Sequence, residues 1–296
     1  MEKKIPRVLV ITMYCGEPQF QRCIESVIKQ KAVLCEHQFI KNKPNVEAHR
    51  ELYEKINDSR ENYDFFVKLD ADMEFSSEQS LIKILSFFEP DTDHLTIPVF
   101  DFFINEDMAA LSVFSNRVFF DTVNMDNLYV DQLNIIYQGM RTNKNKSLQL
   151  VYHCYKPSKE QCIAFGVHRA LKVCQNDRIV PSLPASRSHY NTLRKVYENL
   201  EYPHSKDIRY FAVIGAVAVF TKKITGVMDD KQNFMEKDFI LNVEEAFVDK
   251  WFNYSDIHAV LKALGGLRFF LGGVKMMFDR LLSIPSHFKS NQKTEL

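Results

Sequence analysis

Two carboxylates stand one residue apart in the segment Tyr63 to Glu74, YDFFVKLDADME. Asp70 and Asp72 follow a run of apolar, strand-favouring residues, Phe65, Phe66, Val67 and Leu69, and give way to Glu74, Ser76 and Ser77. A buried strand that ends in this way delivers paired acids into a crevice at its C-terminal end. In an open α/β sheet, that end is where ligands collect. Two carboxylates on a tight turn suit a hard divalent cation with oxygen ligands, and such a cation most often serves to hold phosphates. An Asp-x-Asp pair also fits a solvated turn, where Asp is common, so the surrounding elements have to decide between the two.

Those elements form an alternating series. Arg7 to Met13, RVLVITM, is apolar throughout after its first residue, as a strand covered on both faces is. Pro18 opens a helix whose apolar residues Phe20, Cys23, Ile24, Val27 and Ile28 follow the helical period. A strand over Val33 to Ile40, a helix over Val46 to Asn57 and the acid-tipped strand complete a doubly wound α/β pattern with right-handed crossovers. Past the acids, the pattern predicts a helix with Ser77 as N-cap and Pro90 as its stop. A strand over His94 to Ile104 and a neighbour over Ala110 to Phe120 follow. Asp131 then starts an amphipathic helix that closes near Gly139, Leu148 to Val151 forms a short strand running into His153, and a helix covers Ser158 to Val173. From Pro181 the pattern is helical, with loops at PSLPAS and EYPHS.

Composition narrows the class. A chain of 296 residues suffices for one large domain with an extension. Lys plus Arg and Asp plus Glu both number 38, so no global field points to nucleic acid or to an acidic partner. The six cysteines show no CxxC pairing and mostly sit inside apolar runs, the usage of a cytoplasmic protein with reduced thiols. The basic start MEKK leads into a short apolar run without a small-residue cleavage site, which reads as a first strand and not as a signal peptide. No apolar stretch reaches the length of a spanning helix.

The order of these features resembles the GT-A glycosyltransferases of family two. The residues that carry the likeness are VLVITMY followed by Glu17, a helix ending in SVIKQ, an apolar strand ending in DAD, a later acid at a helix start (Asp131), then a glycine, a short strand and a histidine. The likeness runs over roughly residues 7 to 172, and its most specific part is the joint spacing of LDAD, VDQLNIIYQG and LVYHC. It implies an α/β fold, a Rossmann-like nucleotide-binding GT-A mixed sheet flanked by helices, over residues 1–175, with a mainly helical extension over residues 176–296. It also implies transfer of a sugar, with inversion, from a UDP- or GDP-sugar to a glycan or lipid-linked glycan, with the help of Mn2+ or Mg2+, as in the synthesis of cell-surface polysaccharide or lipopolysaccharide. Family members carry an acidic cluster after the second strand where this chain has FIKNKPN. An acidic pair before the later helix is here Val130-Asp131.

Roles follow from the resemblance and from what the reaction needs. A departing diphosphate develops negative charge that a divalent metal stabilises. Asp72 is then the direct metal ligand, Asp70 reaches the metal through water or touches the ribose, and His153 adds a nitrogen ligand of the kind manganese tolerates. A hydrogen-bonded core histidine is the alternative reading of His153. Asp131 is the base that takes the acceptor proton, with Asp126 as substitute, although a helix N-cap fits Asp131 as well. His168, Arg169 and Lys172 share one helical turn and either clamp the diphosphate or form a solvated face. Thr12 and Glu17 are candidates for the nucleoside, and Gln30 is structural.

The C-terminal region adds a different chemistry. Asp207 to Lys223 is apolar nearly all round and too short to span a bilayer, which suits a buried helix. On a helical wheel, Ile257 to Ile284 gathers His258, Lys262, Arg268, Lys275, Asp279 and Arg280 in one arc. Val260, Leu264, Leu267, Phe270, Leu271, Val274, Met277 and Phe278 lie in the other. Such a segment either lies in a membrane interface, here the inner face, or packs on its own domain, and the pairs Gly265-Gly266 and Gly272-Gly273 bend it in both cases. Two other function classes stay open. A haloacid-dehalogenase-type phosphatase would use Asp70 as nucleophile, but wants Thr or Val at Met73 and its motif on the first strand. A non-catalytic chain would keep the fold as a binding module.

Overall fold

The computed structural model describes residues 5–120, 135–136, 139–142, 148–224, 226 and 245–282. The chain divides into two compact units, Met1–Gln161 and Cys162–Leu296.

The first unit begins with β1 (Arg7–Tyr14), α1 (Phe20–Ile28), β2 (Leu34–Lys41), α2 (Asn45–Ser59) and β3 (Phe65–Lys68). Strands β2 and β3 flank β1, and both run parallel to it. The unbroken apolar character of β1 has a simple cause, since both of its faces are covered. Val8 and Val10 pack with Cys23 and Val27 of α1, whereas Leu9 and Ile11 pack with Leu52 and Ile56 of α2.

After β3 come β4 (Met73–Phe75), α3 (Ser80–Leu85), β5 (His94–Asp101), β6 (Glu106–Ser115), β7 (Phe119–Phe120), β8 (Ile135–Ile136), β9 (Met140–Thr142) and β10 (Val151–His153). The main sheet has the order β2-β1-β3-β6-β5-β10-β4, and β9 also pairs with β5. Strand β6 is antiparallel to both β3 and β5, so the sheet is mixed. The α/β mixed sheet flanked by helices agrees with the sequence reading, as do the parallel strand series and the two neighbouring strands after it, which pair antiparallel.

Three local expectations change. The helix after the acids is only six residues long, and its N-cap is Gln79 and not Ser77. The Ser77 amide donates to Ser80 Oγ at 3.0 Å, which ties the stretch into a turn. The stretch read as a helix from Asp131 is extended at Ile135–Ile136, where two β-branched residues pair antiparallel with Phe119–Phe120. Asp131 and Asp126 lie outside the described residues. PSLPAS is no loop, because α5 starts inside it at Leu183 with a proline in its first turn.

The helices are α4 (Lys159–Cys174), which opens in the last residues of the first unit, α5 (Leu183–Glu198), α6 (Tyr210–Phe220), α7 (Glu245–Phe252), α8 (Asp256–Leu264) and α9 (Gly266–Leu282). The two units divide at the start of α4, between Gln161 and Cys162. Helix α6 is buried around its whole circumference, as its composition implied. It meets α4 at paired glycines: a Cβ on Gly166 would overlap the carbonyl oxygen of Ala212, and one on Gly215 would stand 2.6 Å from the carbonyl oxygen of Ile163. Tyr190 of α5 is fully buried and donates its hydroxyl to the Trp251 carbonyl at 2.8 Å.

The C-terminal segment is two helices. Gly265, at φ +78°, breaks it, and α8 and α9 meet at 117°. Gly272 and Gly273 sit inside α9 and make no bend. Arg268, placed on the polar arc, is turned inward, where its guanidinium donates to the carbonyls of Cys174, Gln175 and Arg178 at the end of α4. The apolar arc of α9 is the exposed side, with Leu267 73%, Phe270 65%, Met277 59% and Phe278 58% accessible. Among the described residues, no single helix is long and apolar enough to cross a membrane.

Two glycine substitutions separate helix propensity from close packing. Ala is favoured over Gly inside a helix by about 1 kcal/mol, and at Gly273 the nearest atom to a new Cβ is 3.9 Å away. Gly273→Ala should therefore raise the melting temperature. At Gly166 the obstacle is backbone that cannot swing aside, and overpacking of about 3 kcal/mol outweighs the propensity gain. Gly166→Ala should lower the melting temperature by several degrees in the same calorimetric experiment.

Candidate metal centre

The site is built by strand register. In the antiparallel pair β4–β10, His153 stands opposite Met73, and in the parallel pair β10–β5 it stands beside Asp101. One histidine is thus set between the acid-bearing turn before β4 and the acid that ends β5. Its Nδ1 lies 2.6 Å from Asp101 Oδ2, and its Nε2 lies 3.4 Å from Asp72 Oδ2. Asp72 and His153 are the acid and imidazole that the sequence assigned to one cation.

The supports are rigid. The Asp101 side chain is 2% exposed, and its other oxygen accepts the Ile104 amide at 2.9 Å. The Phe102 amide donates to the His153 carbonyl at 3.2 Å, and the Cys154 amide donates to the Asp72 carbonyl at 2.8 Å. Cys154 sits at φ +52°, the left-handed region that costs a non-glycine residue about 1–2 kcal/mol. Its Sγ lies 3.4 Å from Asp72 Oδ2 and 3.5 Å from His153 Nε2. Asp72 is 24% exposed, so the group opens to solvent on that side.

Electrostatics follow from burial and the two carboxylates. Burial pulls the His153 ring toward neutrality, but the Cys154 sulfur, the Asp72 charge and the hydrogen bond to Asp101 pull the other way and hold its pKa well above the ordinary 6.5. Burial pushes the Cys154 thiol up to about 12, which leaves it neutral near pH 7, so the carboxylates are what charge the ring. With Nδ1 directed to Asp101, Nε2 is the atom presented toward Asp72. Carboxylate, imidazole and metal stand in this relation where an outer acid fixes the tautomer and the aim of a ligating histidine. A divalent cation at this place would be held by Nε2 and the Asp72 carboxylate, with Asp101 behind the ring.

The other predicted residues are placed as follows. Asp70 is not part of the group formed by Asp72, His153 and Cys154; it accepts from Lys68 Nζ at 3.1 Å, while its carbonyl takes the Met73 amide and closes the turn. Thr12 is fully buried at the end of β1, with its hydroxyl 2.9 Å from His37 Nε2, a ring that burial lowers to about 4 and keeps neutral. Glu17 accepts the Cys15 amide at 2.6 Å and so closes its own loop. Tyr14 stacks on Phe20 beside it at 4.0 Å, and Lys41 of the FIKNKPN stretch covers the Phe20 and Phe39 rings. Arg169 and Lys172 belong to the second unit. There Arg169 lies over Phe165 and 3.3 Å from His189 Nδ1, and burial, Arg169 and Lys172 together lower His189 to about 3.

Two residues beside Asp72 and His153 escaped the sequence reading. Asp101 is an acid inside an otherwise apolar strand, and a buried charge needs a partner, which was the available signal. Cys154 directly follows His153 at a strand end and was read only as one more reduced core cysteine.

No family model matches the chain, and no curated protein matches it. Among solved structures, it is similar to the mannosyltransferase PcManGT from Pyrobaculum calidifontis in complex with GDP-Man and Mn2+, at 12% identity and a TM-score of 0.38, over 94% of this chain and 88% of that one. It is also similar to S. aureus TarS 1-349, at 10% identity and a TM-score of 0.35, over 93% of this chain and 91% of that one.

Proposed function

We propose that the chain is a nucleotide-sugar-dependent glycosyltransferase that holds its donor diphosphate against a divalent cation bound by Asp72 and His153. The observation that carries this reading is the convergence of these two donor atoms, 3.4 Å apart, at the ligand-bearing edge of a sheet whose first half is the nucleotide-binding α/β pattern. The cation supplies charge stabilisation to the leaving diphosphate. Asp101 aims the imidazole and fixes its tautomer. On the acceptor side, Asp131 takes the hydroxyl proton in a single inverting displacement, a role that rests on the sequence resemblance.

The phosphatase alternative draws no support from the site, because Asp70 accepts from Lys68 and its motif follows the third strand and not the first. The acceptor is a glycan or lipid-linked glycan. For a lipid-linked acceptor, the exposed apolar stripe of α9 is the surface that meets the membrane, since Leu267, Phe270, Met277 and Phe278 fall on one side of that helix with Lys275 and Arg280 at its flanks.

Four outcomes test these statements. Thermal stabilisation should appear when a nucleoside diphosphate and a divalent metal are added together, because a ligand of the folded state at 100 times its Kd stabilises by about 2.7 kcal/mol. Asp101→Asn should weaken that metal-dependent binding by about 10–100-fold and Asp72→Ala by more; unchanged affinity in both would remove the site. Asp131→Asn should keep donor binding and lose transfer, as followed by nucleoside diphosphate release with acceptor present. In flotation with anionic vesicles, the wild-type chain should rise and a Leu267→Ser, Phe270→Ser, Met277→Ser variant should stay at the bottom. Co-flotation of that variant rejects the membrane contact.

A further inference from the structure

The donor atoms of the metal centre include a sulfur. Asp72 Oδ2, His153 Nε2 and Cys154 Sγ form a nearly equilateral triangle, with O···N at 3.4 Å, O···S at 3.4 Å and N···S at 3.5 Å. Metal–ligand lengths of about 2.3 Å to sulfur and about 2.0–2.1 Å to nitrogen and oxygen, taken at tetrahedral angles, give edges of about 3.5 Å to the sulfur and about 3.3 Å between nitrogen and oxygen. The triangle therefore has the size of one face of a four-coordinate site. An octahedral Mg2+ with ligands at about 2.0–2.1 Å would draw its donors to about 2.9 Å apart, and it takes oxygen and not sulfur.

Chain geometry makes this arrangement a specific one. Successive residues of a strand point to opposite faces, so the side chains of His153 and Cys154 should diverge. They converge because Cys154 leaves the strand in the left-handed conformation while its amide stays bonded to the Asp72 carbonyl. That bond links the two ligand-bearing backbones directly. The same residue carries both the unusual φ and the third donor atom.

We propose that Cys154 is the third protein ligand of the centre, and that the oxygen–nitrogen–sulfur set selects a borderline cation of the zinc or cobalt class over Mg2+. The inference rests on the metal reading of Asp72 and His153 and adds the identity of the ion to it. On binding, the thiol proton and any proton on Nε2 leave to solvent, and the metal–sulfur bond takes the thiolate electron pair. Three protein ligands leave the fourth position of a tetrahedral ion open on the exposed Asp72 side, where a phosphate oxygen of the donor fits.

The test is a Co2+ titration of the full-length chain after chelator treatment, followed by absorption spectroscopy and a Zn2+ competition. The wild type should give the intense visible bands of four-coordinate cobalt together with a near-ultraviolet thiolate-to-cobalt charge-transfer band. Cys154→Ser should lose the charge-transfer band and bind Zn2+ at least tenfold more weakly, with Mg2+ affinity unchanged. If the serine variant does not fold, Cys154→Asn, a residue type that tolerates this backbone, takes its place. Cobalt bound by the wild type without the charge-transfer band, or with a spectrum that either variant reproduces, overturns the role of Cys154 and leaves the metal reading standing. A wild-type chain that binds no cobalt at all overturns both.

Discussion

A carboxylate that is 2% exposed has to be neutralised where it stands, and Asp101 is neutralised by His153. Leaving such a charge uncompensated costs about 3–5 kcal/mol, a large share of the stability of an ordinary domain. This pairing joins the backbone ladder in holding β10 to β5, and the ladder to β4 brings the turn that carries Asp72 to the other nitrogen of the same ring. The fold at this edge and the chemistry at this edge are therefore one arrangement. A shift of β10 by one residue would turn His153 to the opposite face, strand Asp101 and dissolve the metal centre together.

The parts of the molecule that could be read in advance are those where burial alone sets the pattern. Strand β1 is apolar from Val8 to Ile11 because two helices cover it, and α1 and α2 show the matching stripes. Strand β3 stops at Lys68, and the two acids follow in the turn before β4. Of the antiparallel half, the long pair β5 and β6 and a short strand running into His153 were legible, whereas β4 and β9, three residues each and held by pairings between distant parts of the chain, were not. Three residues are too few to show a period, so neither the register that seats His153 beside Asp101 nor the partner of β4 could be inferred.

At the candidate site, Asp72 and His153 were named together from the sequence, and Asp101 and Cys154, which lie beside them, were not. The histidine was found by its position at a strand end, but what aims it lies on another strand about fifty positions earlier. Cys154 was invisible for a different reason: its side chain reaches the centre through a backbone conformation that residue type does not announce. The helical wheel over residues 257–284 failed because it assumed one axis. Two helices at 117° have two wheels, and Arg268 ends as a cap on α4 where a single wheel had set it in solvent.

The bond from the Cys154 amide to the Asp72 carbonyl means that main chain, and not side chain, sets how far apart the donor-bearing positions stand. Since peptide groups are common to all residue types, the seat survives a change of what hangs from it. A Cys154→Ser change would trade sulfur for a hydroxyl and leave this main-chain bond in place.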